Sequence, residues 1–311
     1  MADISFYDFD FNLLRVLPPF AMDIGYKAIN TQQDLNNSGS LEIVFRDPLL
    51  KSIAEEYKAN IIVQWRDFQG FLTSYRWTDK ECRITGMHLN GLLKRAVIPV
   101  VKEKGDTLKT FLNTAITNID WLNVSDLSMA TEKVTYGSDK PKTADTYIQD
   151  LLDIPGYGYA IEADIQNKKF IFNLIKPSLS SIMLSKENLN LYGLETTYIN
   201  KAIAFGGWYK VDDVWKYITT DDTKTGIYKI DTVLNAETEA EALNELRKCK
   251  GDYEVTANVK IVENGKDYRI GDIVRVQADG VTQKKLVSGV NRWEEKGYGE
   301  NPIFTEYEEG I

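Results

Sequence analysis

KDYRIGDIVRVQADGVTQKKLVSGVNRWEEKGY, residues 266–298, decides the fold class. Within it Asp272–Ala278 carries the β-branched residues Ile273, Val274 and Val276, and Asp279-Gly280 supplies the positive-φ positions that a tight hairpin turn needs. The returning arm, residues 284–293, mixes Leu286, Val287 and Val290 with Ser288, Asn291 and Arg292, the composition of a strand half covered by neighbours. Strand, turn and strand are therefore expected, with no catalytic pattern among them.

Composition sets the outer bounds. At 311 residues and 43% hydrophobic content the chain can bury a substantial core, divided into two or three compact units. No apolar run approaches the roughly 18 residues that cross a bilayer. The N-terminus, MADISFYDFDFNLLRV, starts acidic and lacks the basic region and uninterrupted apolar run of a signal peptide, so neither membrane insertion nor general secretory export is expected. A net charge of −9 argues against a protein that grips phosphates, because nucleic-acid affinity comes from clustered Lys and Arg. Two isolated cysteines, Cys82 and Cys249, make neither a disulfide framework nor a zinc site, which suits a reducing compartment.

Along the first hundred residues, strands are expected at 13–17, 20–29, 40–45, 61–66, 70–77 and 82–85, the spacing of a small barrel or sandwich. One helix interrupts them. In DPLLKSIAEEYK, Asp47 is a good N-cap, Pro48 sits at the first helical position, and Leu49, Leu50, Ile53, Ala54 and Tyr57 form an apolar stripe. The middle of the chain is mixed α/β. Leu108, Phe111, Leu112, Ala115, Ile116 and Ile119 repeat at helical spacing; a second helix runs from about Ala144 and stops before Pro155; strands at 157–163 and 169–175 flank Gln166-Asn167.

The last third returns to strands around NAETEAEALNELRKCKGD. There Thr238 and Glu241 fit a capping box, Arg247, Lys248 and Lys250 crowd the last turn, and Gly251 can take the left-handed cap. The strand-rich, helix-bearing ends fit a diverged pair of units.

Reactive chemistry has few footholds. His88 is the single histidine, which excludes multi-histidine metal sites, and its place beside a short apolar helix favours a packing role. Asp221-Asp222 and Tyr307-Glu308-Glu309 read as solvated loops or tails, since 46 acids guarantee accidental pairs. Gly156-Tyr157-Gly158, Gly206-Gly207 and Gly265 read as turn or close-packing glycines, because none opens a helix in a phosphate-binding arrangement. Trp208, Tyr209 and Trp215 could form a sugar-stacking surface, against the default of core or interface aromatics.

Several stretches, in order, resemble the tail hub proteins of bacteriophages and phage-tail-like particles, the family that includes the trimeric baseplate hub of contractile tails. They are SGSLEIVFRDPLL with CRITGMHLNGLLKRAVI, then ADTYIQDLLDIPGYGYAIEADIQNKKFIFNLIKP, MLSKENLNLYGLETTYINKAIAFGGW, YRIGDIVRV and the terminal NPIFTEYEEG. In the second, the family places a strand ending in a basic short helix, here Gly86, Leu89, Leu92, Leu93 and Arg95.

The resemblance implies an α+β, mainly β protomer: a tail-tube-like β-barrel at 1–102, an inserted α/β domain at 103–195, and a second barrel at 196–311 that includes helix 237–249. Three copies would form a pseudo-sixfold ring joining the tail tube protein to the central spike protein, alongside other baseplate or tail-tip proteins. DNA would pass through its lumen without specific binding. The expected place is a virion tail or tail-like particle, made in the bacterial host cytoplasm. No residue is expected to be catalytic, to bind a cofactor or to hold a metal. A tail-associated carbohydrate-binding protein is the alternative, and a cell-wall hydrolase a third.

Overall fold

The computed structural model describes residues 2–19, 25–58, 60–78, 81–185, 191–199, 204–223, 225, 229–249, 252–259, 262–278 and 281–307. It is mainly β with helices set among the strands, the expected α+β class. The first unit contains β1 (Ile4–Asp8), β2 (Leu13–Leu17), β3 (Tyr26–Asp34), β4 (Ser40–Phe45), helix α1 (Pro48–Tyr57), β5 (Ile61–Trp65), β6 (Phe68–Trp77) and β7 (Cys82–His88). β1 occupies a stretch that reads from sequence as merely acidic, yet it buries Ile4, Phe6 and Asp8 at alternate positions. β3 begins at Tyr26, and residues 20–24 of the strand expected there lie outside the described residues.

α1 starts where its cap predicts. Asp47 Oδ1 accepts from the amides of Leu49 and Leu50 at 2.8 and 3.4 Å, and Pro48, which has no amide hydrogen to satisfy, opens the first turn. Leu50 and Ala54 are buried, with Ile53 and Tyr57 packed beside them on the sheet. Leu49, expected in that stripe, faces solvent, because the i, i+3, i+4, i+7 face starting at Leu50 is complete without it.

A 3₁₀ helix (Leu89–Arg95) leads into β8 (Val97–Ile98), β9 (Val101–Thr107), α2 (Leu108–Thr117), β10 (Leu122–Val124), β11 (Lys133–Ser138), β12 (Lys142–Thr143), α3 (Ala144–Asp153), β13 (Gly158–Asp164) and β14 (Lys169–Ile175). Phe111, Leu112 and Ile116 of α2 meet Tyr147, Ile148 and Leu151 of α3 in one core, which Ile62 and Phe71 of the first sheet also enter. α3 ends at Asp153, before Pro155 as expected; Ile154 still has helical backbone (φ −60°, ψ −52°), and the proline, which has no amide hydrogen, cannot carry the helical hydrogen-bond ladder further.

β13 pairs with β14 along one side. Its other edge is covered by the first unit. The Tyr159 amide donates to the Leu35 carbonyl at 3.2 Å. The Asn90 side chain donates to the Tyr159 carbonyl at 3.3 Å and accepts from the Ile161 amide at 2.8 Å. Gln69 treats Ala163 the same way, at 3.0 and 2.7 Å. Side-chain amides carry one donor group and one acceptor, so two of them can stand in for a neighbouring strand.

The chain continues through β15 (Ser178–Ser185), β16 (Leu191–Ile199), β17 (Gly206–Val211), β18 (Val214–Thr219), β19 (Asp231–Val233), α4 (Glu239–Lys248), β20 (Asp252–Val259), β21 (Asp272–Ala278), β22 (Val281–Glu294) and β23 (Tyr298–Glu306). β21 and β22 form the expected hairpin, paired up to Ala278↔Val281, while Asp279-Gly280 lie outside the described residues. The large sheet has 13 strands and runs β16-β20-β23-β22-β3-β4-β7-β6-β5-β1-β2, with β21 joined to β22 and β15 to β21. Both ends of the chain therefore feed one ladder. They join at β3 and β22, antiparallel from Ile29↔Glu294 to Asp34↔Gly289. No pairing among the described residues closes either half into a barrel.

Between β16 and β20, which pair from Leu191↔Val259 to Ile199↔Asp252, the chain leaves the ladder as a lobe. β18-β17-β19 form its sheet, and Tyr209, Leu234, Ala242 and Leu246 form a small core under α4. At the neck the Ala204 amide donates to the Cys249 carbonyl at 2.9 Å. Thr238 Oγ1 accepts from the Glu241 amide at 3.1 Å, as the capping box predicts, but the Glu241 carboxylate accepts from the Glu237 amide, one residue earlier than expected. Lys250 and Gly251 lie outside the described residues.

Asn90→Ala strips two buried backbone groups of β13 of their partners. At roughly 1–3 kcal/mol for each orphaned group, the variant should lose about 2–6 kcal/mol in urea unfolding.

Candidate interaction surfaces

Hydrogen bonding and packing account for the residues that could have suggested chemistry. His88 is 2% exposed, stacks edge-on to Phe68 at 5.6 Å, and accepts from the Asn90 amide on Nδ1 at 3.3 Å. It caps the 3₁₀ helix that carries Asn90, the residue holding β13. Asp221 Oδ1 accepts from the Thr223 amide and hydroxyl at 3.0 and 2.5 Å, a local turn. Glu308 and Glu309 lie outside the described residues. Gly158 and Gly207 are close-packing positions: a Cβ there would stand 2.3 Å from the Leu35 side chain and 2.5 Å from Leu234. Among the described residues no group of three or more His, Cys, Asp or Glu could hold a metal ion.

A polar seam lies along the β3–β22 junction. Arg292, on β22 and 1% exposed, sends Nη2 to Asp67 at 2.8 Å and Nη1 to Gln33 at 3.4 Å, and its Nε stands 3.9 Å from Glu300. Glu300 accepts from the hydroxyls of Tyr268 and Tyr298 at 3.0 and 2.5 Å. Buried Glu294 accepts from the Tyr26 hydroxyl at 3.0 Å. Arg66 lies 4.0 Å from Glu294, its guanidinium over the Tyr298 ring at 3.8 Å. Burial first, and then the carboxylate that each one bonds, raises the Tyr26, Tyr268 and Tyr298 phenols above the ordinary tyrosine range, so all three remain donors. Arg292 stands on the half-covered strand expected for it, but its role at the seam is not legible in the sequence, because its partners come from β3, the β5–β6 turn and β23.

The lobe presents the second surface. Asp212 and Asp213, at φ 47° and 64°, make a two-residue turn between β17 and β18. That register sets Trp208 beside Tyr217 and Lys210 beside Trp215, all on one face, with Val233 of β19 next to Trp208. Trp208 is 45% exposed, Trp215 52% and Val233 70%. Tyr209 points to the opposite face and is buried under α4 at 3%. The structure thus unites two of the three aromatics singled out from sequence and removes the third.

No protein-family model and no curated protein sequence matches the chain. Solved structures do. It is similar to the tail protein from Neisseria meningitidis MC58, at 13% identity, 98% coverage of this chain and 96% of that one, and a TM-score of 0.61. It is similar to a prophage tail protein from Listeria monocytogenes EGD-e at 15% identity, 99% and 96% coverage, and a TM-score of 0.56. A chain of the phage P2 virion baseplate in activated conformation matches at 10% identity, 100% coverage both ways, and a TM-score of 0.53. The fold is that of phage tail and baseplate proteins.

His88, the cap of the 3₁₀ helix, confers a pH dependence. Burial, with the charge of Arg292 adding to it, pushes the folded His88 imidazole down to about 3, whereas an unfolded histidine titrates near ~6.5. Between those values the unfolded state takes the proton and the folded state does not, so stability falls as pH drops below ~6.5 and the loss completes near about 3. From pH ~6.5 to ~5 the native chain should lose about 2 kcal/mol more than His88→Asn, read from urea midpoints at each pH.

Proposed function

We propose that the chain is a structural hub protomer of a phage tail or phage-tail-like particle, joining the tail tube to the central spike. The observation that supports this is a fold shared with tail and baseplate proteins over nearly the full length of both chains. Its work is done by surfaces, and no catalytic step is assigned to it.

In this reading three protomers close a ring of pseudo-sixfold symmetry, with barrel units at 1–102 and 196–311 and the α/β unit 103–195 between them. If each copy contributes two similar strand-rich units, three copies offer six comparable edges, and one ring meets both a sixfold tube and a threefold spike through closed, repeating contacts. The ladder supports the idea at its ends. Among the described residues β2 pairs with β1 alone and β16 with β20 alone. β2 also exposes Leu13 and Val16. A free edge with apolar side chains is a surface that another chain's strand covers in a working assembly. A net charge of −9 suits a lumen through which DNA slides without adhering. The particle's tail is the place of action, after synthesis in the bacterial host cytoplasm.

Negative-stain imaging of the chain, alone and mixed with its tube and spike proteins, tests the reading. A three-lobed ring with a central hole is expected; a chain that stays monomeric with both partners overturns it. Replacing Leu13 and Val16 together by lysine should weaken ring formation at least tenfold in sedimentation while leaving the thermal melt of the monomer within a few degrees, since both side chains are exposed enough for a lysine head to reach water.

A further inference from the structure

We propose that the outer face of the lobe is a binding site for an uncharged saccharide. The proposal goes beyond the hub reading and rests on separate residues.

The face is built before any ligand arrives. Trp208 and Tyr217 pack at 5.1 Å between ring centroids, inclined at 55°. The Tyr217 hydroxyl donates to Asp231 Oδ1 at 3.0 Å, and Lys229, 4.7 Å over the same ring, also bridges to Asp231 at 3.3 Å. Rings held in this way lose little freedom on binding. Trp215 lies diagonally across the face from Trp208, one strand over and two residues along. A pyranose has a flat C–H face that suits such rings and a rim of hydroxyls that needs donors and acceptors beside them.

The rim is present. Lys210, Trp215 and Val233 also line an open cleft of about 510 Å³, together with the carboxylates of Asp139, Asp212, Asp213 and Glu237. That volume falls within the range of small-molecule sites, about 300–1,000 Å³. Lys210 is held by Asp213 at 2.6 Å, and Glu237 by Lys140 at 2.5 Å. Two carboxylates remain in excess over these two lysines, so the cleft repels phosphates, uronates and sialic acids and accepts hydroxyls.

Size argues against a protein on this face. Two half-exposed tryptophans with Tyr217 and Val233 offer on the order of 300 Å² of apolar surface, where the non-polar part of one side of a stable protein interface covers about 450 Å² of its roughly 800 Å².

Titration calorimetry on the full chain, with maltoheptaose, cellohexaose and chitohexaose as neutral probes and oligogalacturonate as the anionic one, tests the proposal. At least one neutral probe should bind at about 1 mM or tighter, and oligogalacturonate should not. Trp208→Ala and Trp215→Ala should each weaken that binding tenfold or more, and Trp215→Phe, which keeps a ring, less than threefold. No neutral binding at roughly 10 mM, preference for the anionic probe, or equal affinity in the alanine variants overturns it. Ring assembly by the same variants, followed by imaging, should be unchanged, which separates failure here from failure of the hub reading.

Discussion

The pairing of β3 with β22 is the constraint on which the rest depends. It joins residues 29–34 to residues 289–294, so both ends of the chain must be in place before the large sheet exists. Arg292 crosses that junction from inside. Its bond to Gln33 spans 259 residues of sequence and its bond to Asp67 spans 225. A guanidinium buried this completely is stable only because carboxylates and amide oxygens surround it, since the desolvation of a lone charge outweighs any single contact. The three tyrosine hydroxyls in turn donate to Glu294 and Glu300. The seam therefore discriminates between registers: a one-residue slip of β22 would turn Arg292 outward and bring an uncharged neighbour into a pocket lined with acids.

The inserted unit depends on the same sheet by a different device. Strand β13 could be finished by another strand, but the fold uses Leu35, Asn90 and Gln69 instead. Asn90 is set by the 3₁₀ helix that His88 caps, so a neutral imidazole, a side-chain amide and an edge strand form one chain of dependence beside the seam. Sharing Ile62 and Phe71 with the α2–α3 core binds the two units further.

What could be read from sequence was local. Asp47 with Pro48, Thr238 with Glu241, the stop before Pro155 and the β21–β22 hairpin all stand close to their expected places, because caps, turns and proline act within a few residues. β1 is not legible because its Asp8 is buried against the usual habit of acids, and Leu49 falls off the buried face because a stripe has flanks that only packing resolves. The roles of Arg292, Asn90 and Gln69 could not be read, since each is defined by partners far away in sequence. The lobe's face lies between these cases. Trp208 and Trp215 are seven apart, an odd number that places them on opposite faces of a single strand; only the two-residue turn at Asp212-Asp213 brings them together, and the same register sends Tyr209 away.

The neck of the lobe has its own consequence. Residues 204 and 249 stand side by side, and the strands that flank them already pair with each other. The ladder passes the intervening segment by, so a change of length within it leaves every rung in place, and its other ties are to the inserted unit, where Lys142 bridges Glu241 of α4 at 3.0 Å and Lys140 bridges Glu237 at 2.5 Å. Proteins that share this scaffold can differ at that port while the ladder itself stays constant.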